Sequence, residues 1–139
     1  MKIICIVLSL ITVSATACPQ LMIERGWVRE PPPNTTTAAG YMTLYNAGSK
    51  PLTIDNISSS NFAHTMLHET KIKDSIAQMT MISSLTLAAG ERKTLRPGGI
   101  HLMLMQSARA VHAGDKVPVI FECGDTSKST ALLVKKDLP

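Results

Sequence analysis

Apolar and polar residues alternate in short runs along most of this chain, and the runs are separated by residues that favour turns. The runs occupy 26–29, 39–45, 52–57, 66–72, 76–82, 92–95, 100–106, 116–122 and 130–135. Between them stand Pro31-Pro32-Pro33-Asn34, Asn46-Ala47-Gly48, Ala89-Gly90, Arg96-Pro97-Gly98-Gly99 and Ala113-Gly114-Asp115. Many short strands at nearly regular spacing, punctuated by turn residues, predict an all-β sandwich or barrel. No sustained helical period, internal repeat or low-complexity tract interrupts the pattern.

Within several runs the period is two. Tyr41, Thr43 and Tyr45 alternate with Met42 and Leu44, so one face of that strand can pack while the other meets solvent, as in an antiparallel sheet. Trp27, just before the proline turn, is expected to anchor the core or an edge.

The first residues follow a different rule. Lys2 precedes an apolar run from Ile3 to Val13 that is too short to span a bilayer, and Ala15-Thr16-Ala17 supplies the small residues expected before a cleavage point. The expected organisation is a signal peptide over 1–17 and one domain over 18–139, exported to the periplasm. Cys18 has two readings. It can pair with Cys123 in an oxidising compartment, or Ala15-Thr16-Ala17-Cys18 can act as a loose lipobox, although such boxes usually carry Leu where Ala15 stands. Membrane attachment is expected only in the second case.

Charge changes the picture little. The 14 Lys and Arg residues exceed the 10 Asp and Glu residues by four and are scattered, which gives a solvated basic surface rather than a nucleic-acid-binding stripe. A monomer is expected. Enzyme signatures are missing: there is no G-x-S-x-G elbow, C-x-x-C pair, phosphate-cradling glycine loop or H-E-x-x-H helix. His112, beside Ala113-Gly114-Asp115, reads as an exposed loop residue.

The methionines carry the chemistry. Of eight, five fall between Met66 and Met105, interleaved with His64, His68 and His101. In the segment Ile100-His101-Leu102-Met103-Leu104-Met105, strand periodicity puts His101, Met103 and Met105 on one face and the leucines on the other. Met79 and Met81 share a face of another run, and His68 lies on the run before it. A single methionine on a strand is usually core filling, and a single histidine can be a satisfied core residue. Here the leucines already supply the core face. Imidazole and thioether donors together suit Cu(I), whereas calcium or magnesium needs oxygen ligands and zinc seldom takes methionine. Outside the cytosol thiolates tend to oxidise, while a thioether stays available and binds without losing a proton.

His68, Met79, His101 and Met103 are spaced as H-x10-M-x21-H-x-M. That spacing resembles the PCuAC family of periplasmic copper chaperones. The similarity runs from Gly26-Trp27-Val28-Arg29 through Ala39-Gly40-Tyr41-Met42-Thr43-Leu44 and residues 95–105 to Gly114-Asp115-Lys116-Val117-Pro118, Phe121 and Glu122. The resemblance implies a cupredoxin-like Greek-key β-sandwich and a Cu(I) site formed by His68, Met79, His101 and Met103. It also implies a protein acceptor, either the CuA subunit of cytochrome c oxidase or another copper chaperone. Family members often have methionine two residues after the first histidine; Thr70 stands there in this chain. Two other functions use similar parts. Copper buffering would need the same site without an acceptor, and an electron-transfer cupredoxin would need a thiolate, for which Cys123 is the candidate. No histidine or methionine follows Cys123, unlike the closing loop of blue-copper proteins.

Overall fold

The computed structural model describes residues 18–136, so the expected leader over 1–17 and the last three residues of the expected domain lie outside the described residues. A 3-10 turn at Cys18–Gln20 leads into β1 (Leu21–Arg29), β2 (Ala38–Asn46), β3 (Leu52–Ile54) and β4 (Asn56–Ser58). Next come β5 (Phe62–Lys73), β6 (Ile76–Ile82), β7 (Leu85–Leu87), β8 (Arg92–Leu95), β9 (Ile100–Ser107), β10 (Lys116–Cys123) and β11 (Thr126–Lys135). No α-helix occurs among the described residues.

The main sheet runs β4-β10-β11-β1-β2-β9-β5-β6, and every pair on that path is antiparallel except β1 with β11. β2 is the corner of the sandwich. Its first residues, Ala38 to Gly40, pair with β9, whereas Met42 to Tyr45 pair with β8. β3 and β7 make a separate two-stranded sheet. The inward residues Val28, Leu44, Leu102, Leu104, Val117, Val119, Phe121, Leu132 and Val134 are almost fully buried in one cluster. Each such side chain contributes about 1.5–3 kcal/mol of hydrophobic stabilisation.

Several runs extend or divide where local pattern meets tertiary pairing. The segment 52–57, expected as one strand, splits at Asp55. The backbone N–H of Asp55 donates to the Glu122 carbonyl at 3.0 Å, and its carboxylate accepts from the Gly124 N–H at 2.9 Å. This sends β3 to β7 and β4 to β10. β1 starts at Leu21 rather than Gly26, because a bulge between Glu24 and Trp27 breaks the alternation that marks a strand. Arg25 has φ 53° there. A Cβ on Gly26 would sit 2.5 Å from the Leu132 side chain, which is itself buried, so the close approach requires glycine. Trp27 is buried against Tyr41, their ring centroids 5.0 Å apart, which fits its anchoring role.

Cys18 and Cys123 form a disulfide that joins the start of the domain to the end of β10, a sequence separation of 105. Both cysteines are buried. One sulfur cannot carry both this bond and a lipid.

Candidate metal centre

β5, β6 and β9 lie side by side at one end of the sheet, with β5 in the middle and β6 at the edge. Their register decides which side chains share a face. His68 is directly opposite His101 on β9 and directly opposite Met81 on β6. One step toward the body of the sheet, Met66 faces Met103; one step toward the β5–β6 turn, Thr70 faces Met79. The same face therefore carries all four residues of the H-x10-M-x21-H-x-M spacing. Leu67, Leu102 and Leu104, on the alternate positions, are buried in the core. The division into a core face and a donor face expected for 100–105 is present.

The four positions are not equivalent. His68 and His101 are a directly opposed pair with ring centroids 6.1 Å apart and edge-to-face. Met103 is half-buried beside them on β9. Met79 is one step off the histidine row on β6 and 62% exposed. Met81, which sits in that row, is 59% exposed. Periodicity alone cannot show this offset, because register depends on how β5 pairs with two neighbours at once. β6 follows a two-residue hairpin turn in which Asp74 (φ 51°) and Ser75 (φ 62°) both take left-handed conformations, as a type I′ turn requires.

The orientation of His101 begins in the β8–β9 turn. Pro97 and Gly98 occupy the central positions of Arg96-Pro97-Gly98-Gly99, Gly98 has φ +77°, and the Gly99 N–H donates to the Arg96 carbonyl at 3.1 Å. Proline followed by a left-handed glycine is the signature of a type II turn. The turn presents the Gly99 carbonyl, which accepts the Thr70 N–H at 3.1 Å and lies 3.0 Å from His101 Nδ1. A carbonyl only accepts, so the bond assigns the proton to Nδ1 and leaves the Nε2 lone pair free. Metal-ligating histidines commonly have this second hydrogen bond.

His68 differs. Its Nδ1 is buried and has no hydrogen-bond partner. Burial first, and the neighbouring His101 second, push its pKa below the ordinary 6.5, so the ring is held neutral with a nitrogen lone pair available. Leaving a buried polar atom unpaired costs about 1–3 kcal/mol. A metal ion bound at this nitrogen would satisfy it.

Among the described residues no three His, Cys, Asp or Glu side chains are grouped closely enough to hold a metal ion. Any ion bound on this face must lean on thioether sulfur, which favours a soft monovalent ion over calcium, magnesium or zinc. His112 is exposed in the β10 approach loop, with its Nδ1 3.6 Å from the Glu30 carboxylate, and takes no part in the face.

Solved structures share this sandwich. A copper-bound PCuAC domain from PmoF2 superposes with TM-score 0.71 at 20% identity, covering 87% of this chain and 97% of that one. The Cu(I) form of DR1885 from Deinococcus radiodurans, solved in solution, gives TM-score 0.70 at 29% identity over 91% of this chain and 85% of that one. The fold is thus the cupredoxin-like β-sandwich of PCuAC domains. Residues 21–134 match the family described as "Putative lipoprotein LpqE-like", and the chain belongs to this LpqE-like, PCuAC-type family. A relative from Leifsonia xyli subsp. xyli named "Putative lipoprotein Lxx21020" is 30% identical over 118 residues, 84% of this chain and 70% of the relative. An uncharacterised protein of Rickettsia prowazekii, RP573, is 28% identical over 75% of this chain and 59% of its own length.

Proposed function

We propose that this protein is an exported Cu(I) metallochaperone in which His68, Met79, His101 and Met103 hold the ion and release it to an acceptor protein. The observation that carries the reading is the opposed His68–His101 pair, with one Nε2 freed by the Gly99 carbonyl and one buried nitrogen left unpartnered, on a face otherwise furnished with thioethers. The copper-bound PCuAC domain of PmoF2 and the Cu(I) form of DR1885 support it.

The donor set explains both holding and release. Two neutral imidazoles and two thioethers add no charge, so bound Cu(I) keeps its single positive charge, and it does so next to the edge strand β6, from which the exposed Met79 reaches it. An incoming donor can displace the exposed Met79 thioether first, and the ion then passes by ligand exchange with no bond in a substrate changed. Cys123 is bonded to Cys18, which removes the thiolate that an electron-transfer cupredoxin requires. The relatives named as lipoproteins support export. The acceptor implied by the family resemblance is the CuA subunit of cytochrome c oxidase.

Competition titration of Cu(I) against a calibrated chelator tests the site. Replacing Met103 by leucine conserves volume and costs less than about 1.5 kcal/mol of fold stability. If a four-donor site is worth about 10–16 kcal/mol, as structural zinc sites are, one donor accounts for roughly 3 kcal/mol, or about a hundredfold in affinity. Equal affinity in wild type and Met103→Leu would sink the assignment. Delivery is separated from buffering by a deletion strain. Loss of oxidase activity that added copper restores supports delivery, whereas copper sensitivity alone supports buffering.

A further inference from the structure

The donor face continues beyond the four residues assigned above. His64 is directly opposite Met105, and Met66 is directly opposite Met103, on the same face as His68 and His101. His64 is exposed, and Met66 and Met105 are half-buried. The core beneath them is already filled by Leu67, Leu102 and Leu104, so packing does not explain three soft donors in this place.

We infer that His64, Met66 and Met105 form a second site for a soft monovalent cation, Cu(I) or Ag(I), with its His64–Met105 row two steps along β5 and β9 from the His68–His101 row. The inference rests on the copper reading of His68, Met79, His101 and Met103. Directly opposed residues have Cβ atoms about 4.5–5.5 Å apart, close enough for His64 and Met105 to grip one ion between them. Met66 lies two residues along β5 from His64, about 7 Å away, and its unbranched, freely rotating chain bridges that gap. One imidazole nitrogen and two thioether sulfurs make a neutral three-coordinate set that selects soft ions as the first site does. Two like charges on one face repel, so the second ion binds more weakly than the first. Met66 of the second site stands directly opposite Met103 of the first, with a sulfur on each strand, and the pair gives the ion a route from the solvent-exposed His64 to the His68–His101 pair. The chain then carries a loading position as well as a holding position.

Native mass spectrometry of the full mature chain titrated with Ag(I), which has no accessible redox change, reads the stoichiometry. Two ions are expected on the wild type and one on the double variant His64→Ala, Met105→Leu, with the affinity for that remaining ion unchanged. Two ions retained on the double variant overturn the inference, as does a single ion on the wild type that the double variant keeps; the proposed function survives either result. A single ion lost only in the double variant supports this cluster and overturns the assignment of the first site. No ion on either protein overturns both. Methyl resonances provide an independent reading without substitution: Met66 and Met105 should move mainly with the second equivalent of Ag(I), and methyls that stay still throughout refute the site.

Discussion

The Cys18–Cys123 disulfide allows the sharpest prediction, because it decides stability and membrane attachment together. The bond spans a sequence separation of 105. The chain-entropy relation gives a denatured-state restriction of about 16 cal/mol/K for a loop of that length, or about 4.8 kcal/mol at 25 °C. Native disulfides of small exported domains deliver about 2–5 kcal/mol, so the calculated value sits at the upper end. Unfolding entropy of about 2.1 cal/mol/K per residue, over the roughly 120 residues described, converts this range into a fall in Tm of about 8–20 °C. The assay is thermal and urea unfolding of the mature protein with and without reductant, alongside intact mass. A Cys18→Ala, Cys123→Ala variant should melt like the reduced protein. Its Cu(I) affinity should hold, since β10 pairs only with β4 and β11, away from the donor face. An unchanged Tm on reduction, in protein whose mass shows two thiols lost to a disulfide, would refute the loop argument. A mass increased by acyl chains at Cys18, with Cys123 free, would refute the bond itself and place the protein on a membrane.

Other tests separate the donors and their supports. Met79→Leu is expected to weaken Cu(I) binding by about a hundredfold, on the same one-donor share, while Met81→Leu changes it little; the reverse order would mean that position in the histidine row outweighs the H-x10-M spacing. Gly98→Ala places a side chain at φ +77°, a left-handed conformation that costs about 1–2 kcal/mol. It meets no neighbour within 4 Å, so the loss is conformational. Calorimetry should show that destabilisation, and a tilted Gly99 carbonyl should lower copper affinity by about tenfold or more through His101. For His68 the folded pKa lies below the unfolded one, so the unfolded chain takes up its proton first. Stability from this group is therefore constant above pH 6.5, falls as pH drops below it, and levels off below the folded pKa. Urea unfolding of His68→Gln across this range should lack the slope, and an equal slope in both proteins would assign it elsewhere.

How far the structure was legible depends on the range of the interaction that sets each feature. β6 and β8 have the ends expected from their runs, β8 between the marked turns at 89–90 and 96–99, and the two faces of β9 follow from a period of two, because turns and alternation are local. β7 was missed, being three residues whose only signature is Leu85 and Leu87 turned inward. The polar start of β11, Thr126 to Ser129, carries no apolar alternation and is a strand because β10 pairs with it. Its strand character lies in its partner. The donor face divides in the same way. The alternation of His101 and Met103 with leucine placed them on one side, and the motif spacing singled them out, but neither could show that His68 stands opposite His101. That depends on β5 joining β6 and β9 in one register, a long-range choice in which a slip of one residue would turn His68 into the core and Leu67 out. Leu67 is buried with Leu102 and Leu104, so the cost of exposing it holds the register. The core thus brings the two imidazoles together, and the proposed copper site would have His68 and His101 paired before any ion arrives.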